Sequence, residues 1–462
     1  MSALQTLAGS AFMAVAVAVM PAGAPVKTLT RLSSCDATTS SQRGLIANAE
    51  VEPSIATDRT GRNVVVVYQE DRSSRGGAGG IDVTSSEDGG STWRAPTRLF
   101  GSCGADARNV SDPWVSIGPD GHVYAAALDT GLGAVATSST DGGKTWARPQ
   151  TLGMQTPTLL VDKPTITADP MRPNVAYAFW EQYPLRPGQP PIAADTAISI
   201  TRDGGRSWSP PRPILRHAGN VGAMTTNVVG DPRTGVLYAF SLWIRGPEPP
   251  VEEPSKLLLQ HSSDAGRTWS RPATIGTHRS AWLTLRDPAT DKGIRPSVPS
   301  FAVDPRSGRL YAVWADNRLG ASSHVDHVVL SSSNPGGRRW SPPRRLDPAS
   351  ATLGLIPSVA VGADGSVAVT YFTVAPKASR VTYWAARSHD AGRTFTRSEV
   401  GQEFSLADAP FLTGIPAILV PGGLFLGDYM GLAATPKGFA TAFVTANPTR
   451  DNASDVRFAI VR

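Results

Sequence analysis

Six copies of one eight-residue pattern constrain what this chain can fold into more than any other feature. The first copy reads Ser86-Glu87-Asp88-Gly89-Gly90-Ser91-Thr92-Trp93, and the second, third and fourth begin at Ser139, Thr201 and Ser262 with Asp, Gly and Trp kept in step. The fifth, from Ser333, has Pro335 in the aspartate place, and the sixth, from Ser388, ends in Phe395 instead of tryptophan. Aspartate beside glycine is turn chemistry. The carboxylate accepts hydrogen bonds from neighbouring backbone N–H groups, glycine takes the positive φ that a tight turn demands, and the aromatic closes over the turn. Each box is therefore expected to carry architecture rather than chemistry.

The segments between boxes share a grammar. An apolar run opens near proline, a turn rich in Asp and Gly follows, and a second, aromatic-rich run leads through a loop to a third run that ends in the box. A short fourth run completes the unit. The first instance is PSIATD, NVVVVYQE, IDVTSS and TRLF, and later ones open at Pro113, Pro164, Thr226, Pro299 and Pro357. That is a four-stranded meander, and successive boxes begin 53 to 71 residues apart. Forty-five Gly and 39 Pro in 462 residues, with only 18% charged, fit many short strands and tight turns.

The C-terminal stretch supplies GDYMGLAATP, GFATAFVTA and DVRFAIVR, three strands without a fourth. The segment Val26 to Leu32 is the expected donor of the missing one. The reading is all-β: a β-propeller of four-stranded blades, seven with six as the alternative, closed by an N-terminal strand and forming one domain over residues 25–462.

The pattern S/T-x-D-x-G-x-T/S-W resembles the Asp-box, or BNR repeat, of the sialidase (neuraminidase) superfamily and of other β-propeller proteins. The resemblance covers the repeat grammar of nearly the whole chain. It implies that substrate binds on the face opposite the boxes, where first strands begin and second strands end. It further implies an exo-sialidase chemistry, with arginines on the substrate carboxylate, a tyrosine nucleophile helped by a glutamate, and an aspartate acid/base. At the matching positions Tyr429 stands for the nucleophile and Glu52 for its partner, while Arg72 and Arg318 stand for carboxylate ligands. Arg295 and Asp428 fall on the same face, as do Asp162 and Lys163. The family's Arg-Ile-Pro aligns with Val51-Glu52-Pro53, so its first arginine is missing. Its aspartate before IDV is missing too, which leaves Asp112, Asp71 or Asp82 for the acid/base role.

Trp114, Trp180, Trp243 and Trp314 either stack on sugar at this face or pack between blades. Two function classes stay open. One is a secreted glycoside hydrolase acting on acidic, sialic-acid-type glycans, and the other is a non-catalytic propeller that binds a glycan or a protein at the same funnel. A ring of carboxylates around the axis also suits Ca²⁺; no other cofactor is expected.

The net charge is +6, but Lys and Arg are scattered through loops, so the sequence does not point to nucleic acid. Leu7 to Met20 is an apolar run followed by Ala22-Gly23-Ala24, which reads as a cleaved leader over residues 1–24 and predicts export. No later run reaches the roughly 18 to 20 apolar residues of a membrane span. The two cysteines, Cys35 and Cys103, are expected to be bridged in an oxidising compartment, and the chain is read as a monomer.

Overall fold

The computed structural model describes residues 25–462 except 31–32, 34, 36, 105, 187–192, 246–253, 281–283, 288–291, 295–296, 321–324, 352, 376–379, 414–421 and 450. Residues 1–24, read above as a leader, and Arg295 lie outside the described residues. Almost all of the regular structure is antiparallel strand, with one α-helix at Ala37–Arg43. Among the described residues seven sets of four strands follow one another as meanders. Their first strands are Val51–Thr57, Val110–Ile117, Leu159–Ala168, Val221–Gly230, Ser300–Val303, Leu353–Val361 and Gly431–Thr435. Each packs against the first strand of the next meander, and the seventh packs against the first. In the seventh meander the outermost pairing is made by Lys27 with Phe458 and Thr28 with Arg457.

Stacking of the sheets follows from the sequence of the second strands. Val64, Val65, Val66 and Val67 are all 0% exposed, so both faces of this strand are covered. Side chains alternate across a strand. Val64 and Val66 accordingly join Phe439 and Phe458 of the seventh meander, whereas Val65 and Val67 join Val115 and Ala125 of the second. An uninterrupted valine run thus reads as a strand clamped between two neighbouring sheets. Trp180 and Trp314, 0% and 2% exposed, take the packing role, not the sugar-stacking one.

The boxes close the turns between third and fourth strands. In the first, the Ser86 hydroxyl donates to Asp88 Oδ1 (2.8 Å), Thr92 N–H donates to the same oxygen (2.8 Å), and the Thr92 hydroxyl donates to Oδ2 (2.6 Å). Trp93 Nε1 donates to the Gly90 carbonyl at 3.1 Å, which pins the indole over the turn. The fifth box solves its lost aspartate locally: Asn334 Oδ1 accepts from Arg339 N–H at 2.8 Å, one position before the proline.

In the second box Asp141 accepts from Lys144 N–H (3.0 Å), Thr145 N–H (2.9 Å) and both the Ser139 (2.7 Å) and Thr145 (2.6 Å) hydroxyls. These bonds hold its carboxyl well below the usual range, although burial opposes them. Lys144 and Thr145 are exposed, so water can replace the lost acceptor. Asp141→Ala is expected to cost about 1 kcal/mol in urea denaturation and to leave ligand binding unchanged.

Two features lie outside the meander grammar. Cys35 and Cys103 are disulfide-bonded, with Cα atoms 5.0 Å apart. Alongside, Arg43 at the end of the helix donates to the carbonyls of Ser102 (2.7 Å) and Arg108 (3.1 Å). A small extra sheet joins Thr284–Asp287, Lys292–Ile294, Gly423–Leu424 and Phe411–Leu412. It uses the longest inter-box segment and the stretch before the last meander, where the sequence showed no repeat.

Candidate functional site

Four first strands open with the same local device. Glu52, Asp112, Lys163 and Ile356 each precede a proline and each have a left-handed φ, of 53°, 51°, 51° and 47°. A residue before proline is normally driven to extended conformations, and a non-glycine residue at positive φ costs on the order of 1–3 kcal/mol. The strand register slips at each of these points, as between Val51 and Ser54 and between Ser111 and Trp114. The slip is a bulge, which re-aims a side chain. Ile356 is turned into the core, but the other three carry charges that converge.

The carboxyl groups of Glu52, Asp112 and Asp428 lie within 4.8 Å of one another. They come from the first strands of the first and second meanders and from the bend before the seventh, and are 1%, 4% and 6% exposed. Lys163, from the third, reaches across them: Nζ is 3.0 Å from Asp112 Oδ1 and contacts Asp428 Oδ2. Glu52 Oε1 accepts from Asp428 N–H at 3.2 Å, and its Oε2 accepts from the Gln69 amide. Gln69 also donates to Ser111 Oγ (3.2 Å) and accepts from Arg72 Nη1 (2.7 Å). Gly427 backs directly on the Glu52 main chain at φ 130°, where a Cβ would meet Glu52 N at 3.0 Å.

Burial pushes the Glu52 carboxyl up to about 8, with Asp112 and Asp428 adding to the shift and Lys163 and Arg72 opposing it. Asp162, beside Lys163, is raised to about 6, first by burial and then by Asp112. Burial works to lower Lys163, yet Asp112, Asp428, Glu52 and Asp162 together hold it well above its ordinary value. The cluster therefore contains a carboxylic acid that keeps its proton at neutral pH and an ammonium paired with two other acids. Three carboxylates of this kind are a possible oxygen cage for Ca²⁺, but here the ammonium of Lys163 already fills the cation's place between Asp112 and Asp428. The residues do not fit a bound Ca²⁺ unless Lys163 withdraws.

The remaining expected residues divide. Tyr429 borders the cluster, its ring 5.0 Å from that of Trp114 and edge-on. Its hydroxyl does not donate to Glu52; it donates to the Pro113 carbonyl at 2.8 Å. Burial and the acids Glu52, Asp112 and Asp428 raise its pKa well above 10, opposite to what a nucleophile needs. Arg72 is 4% exposed and lies over the Phe425 ring at 4.6 Å. Among the described residues Arg318 bonds elsewhere, donating to Asp316 Oδ1 (2.8 Å) and to the Thr277 carbonyl (2.6 Å).

Asp71 and Asp82 are not at the cluster either. Asp71 accepts from Asn48 N–H (2.9 Å) and the Ser33 hydroxyl (2.6 Å), and Asp82 pairs with Arg98 at 2.6 Å. Sequence reasoning missed Gln69 and Ser111 and gave Lys163 no role. The usable signal was the charged residue before proline at the start of successive first strands.

Residues 175–400 match the family model of a BNR repeat-like domain. No curated protein matches the sequence of the chain. Among solved structures, the chain is similar to an ulvan lyase of a polysaccharide lyase family, solved bound to -[GlcA(1-4)Rha3S]-. The TM-score is 0.55 at 11% identity, over 90% of this chain and 95% of that one. It is also similar to a variant of NanB sialidase from Streptococcus pneumoniae, with a TM-score of 0.46 at 12% identity over 94% of this chain and 70% of that one. A protein of unknown function from Dyadobacter fermentans gives 0.46 at 15% identity, over 76% and 96%. At these identities the likeness is one of fold. Among the described residues, no helix is long and apolar enough to cross a membrane.

Proposed function

We propose that this protein is a glycan-acting hydrolase whose site is the Glu52–Asp112–Lys163–Asp428 cluster. One observation carries the reading: three buried carboxyl groups brought from distant parts of the chain meet within 4.8 Å, two of them held by a lysine. Strained backbone and buried charge together mark functional sites more often than structural ones. Environment assigns the roles, as in other two-carboxyl sites. Glu52 is the proton donor to the leaving oxygen, and Asp112, ion-paired with Lys163, is the carboxylate that meets the anomeric carbon. Retaining glycosidases place their two carboxyls about 5 to 5.5 Å apart and inverting ones about 6.5 to 9.5 Å. The separation here favours retention.

The same geometry argues for a neutral sugar at the cluster rather than a sialic acid. Two acids and one lysine leave the cluster with a negative balance, and Arg72 is enclosed over Phe425. With Arg318 engaged by Asp316, none of the described arginines proposed for the role is placed to grip a substrate carboxylate in the way the sialidase resemblance implied.

Glu52→Gln is expected to lower turnover of aryl glycosides with poor leaving groups by about 10²- to 10⁴-fold while sparing those with activated leaving groups. Product anomers read by NMR should show retention. Absence of turnover by wild type on a panel of neutral and sialic aryl glycosides would reject the hydrolase. The second reading, a binding propeller with this cluster as its central plug, is favoured by the burial of all three acids. Under it Glu52→Gln would change stability alone.

The closed succession of first strands supports a seven-bladed propeller, completed by the outer pairing of Lys27–Thr28 on the seventh blade. Export after removal of residues 1–24 is part of the proposal; it accords with the Cys35–Cys103 bridge.

A further inference from the structure

Each box packs on the meander before its own. Gly143 of the second box sits on Val65 of the first meander, Gly205 of the third on Ser138, and Gly266 of the fourth on Tyr177. Gly337 of the fifth sits on Leu259, Gly392 of the sixth on Tyr311, and Gly90 of the first on Phe458 of the seventh meander. Six boxes therefore cover the first five meanders and the seventh. Among the described residues the sixth has no box over it, because the seventh meander carries none. At that place lies a cavity of about 770 Å³, lined by Arg387 and Thr396–Val400 of the sixth meander, Ile460 and Val461 of the seventh, and the turn at Asp88–Ser91. Its size is that of a ligand site, about 300–1,000 Å³.

The vacant seat differs chemically from the filled ones. In the second meander Ser138, the residue before the box, donates its hydroxyl to the Gly204 carbonyl of the next box at 2.8 Å. In the third and fifth, Arg212 and Arg344 donate to the carbonyls of Gly266 and Gly392. In the sixth, the residue before the box is Arg387, whose Nε is buried with no hydrogen-bond partner. Five further cations line the cavity: Lys27, Arg62, Arg397, Lys437 and Arg462. Among the lining side chains only Asp88 and Glu399 oppose them, two acids against six cations. The field in the cavity is positive, and a concave, low-dielectric wall concentrates it.

We propose that this vacant seat binds an acidic polysaccharide, carboxylated or sulfated, independently of the chemistry at Glu52. The cations would take the anionic groups while Pro436 and Ile460 supply an apolar wall for the sugar ring faces. Single-stranded nucleic acid needs exposed aromatic platforms. The cavity has none, since Phe458 is 2% exposed and covered by Trp93 at 4.8 Å.

The test measures binding of dextran sulfate and of an oligogalacturonate by calorimetry, with neutral dextran and a DNA oligomer as comparators. We expect salt-sensitive binding of one or both polyanionic sugars, no binding of dextran, and weaker binding of DNA. Arg387→Ala with Lys437→Ala should reduce affinity at least tenfold, whereas Arg216→Ala with Arg338→Ala, an equal loss of charge elsewhere, should not. Should the Arg387 variant fail to fold, Lys437→Glu alone, on an exposed turn, must still weaken binding. Equal loss in both double variants, dextran bound as well as its sulfate, DNA bound more tightly, or no binding of either acidic sugar would each overturn the proposal.

Discussion

Lys163→Met is expected to lower the unfolding free energy at pH 8 by about 3 to 5 kcal/mol, the cost of leaving a buried charge cluster without its partner. The substitution keeps the length of the side chain and removes only the ammonium. Asp112 and Asp428 would then face each other and Glu52 at less than 4.8 Å with no cation between them. Proton uptake can relieve that repulsion, so the loss should shrink as the pH is lowered toward 5. Adding Asp112→Asn to Lys163→Met should recover part of the loss, because neighbours that share one network are not additive. Urea denaturation of the two single variants and the double variant at pH 5 and pH 8 measures all of this. A cost below about 1 kcal/mol, the same at both pH values, would mean that the cluster is wet and that Lys163 is an ordinary surface ion pair.

The parts of this protein that were legible in its sequence are those whose physics is local. A box is made by Asp, Ser or Thr, Gly and an aromatic within eight residues, and Ser86 to Trp93 bond to one another with no help from the rest of the chain. The run from Val64 to Val67 announces a strand covered on both faces because burial of every position is a property of that strand alone. The cluster was only half legible. Glu52, Asp112, Asp428 and Tyr429 were placed near the starts of first strands, but which side chains meet depends on the bulges at Glu52, Asp112 and Lys163. Lys163 could be located but not paired, since its partners Asp112 and Asp428 are 51 and 265 residues away in sequence. Arg318 shows the opposite failure: it stands at a strand end on the expected face, yet Asp316, two residues before it, holds it. The extra sheet around Ile294 and Leu424 has no repeat to betray it.

Stability should peak on the acidic side, near pH 5, and fall as the pH rises to 9. Burial raises Glu70 to about 9, with Asp71 and Asp82 adding to it, and raises Glu181 to about 8. Glu52 is raised to about 8 and Glu50 well above its usual range, again by burial first. Each folded-state value exceeds the unfolded one, so the native chain keeps protons that the unfolded chain has already released. Stability from such a group is fully present below the unfolded carboxyl pKa and is lost as pH climbs through the folded value. The slope is at most about 1.4 kcal/mol per pH unit for each independent group. Glu50 and Glu70 interact, as do the acids around Glu52, so the slopes do not sum in full.

Lys163, raised from its ordinary value, contributes a constant amount across this window and fades only in strong alkali. His278 sets the acid limit. Burial lowers it to about 4, so its stabilisation is present above the unfolded value near 6.5 and is lost as pH falls from there through 4. Urea denaturation from pH 4.5 to 9 is expected to show a loss of at least about 3 kcal/mol between pH 5.5 and 8.5, by the same linkage. Glu70→Gln, which cannot ionise, should flatten the curve between pH 6 and 9. A wild-type curve that rises from pH 5.5 to 8.5 would show that these acids are ionised in the folded state, and the assignment of Glu52 as a neutral-pH proton donor would fall with it.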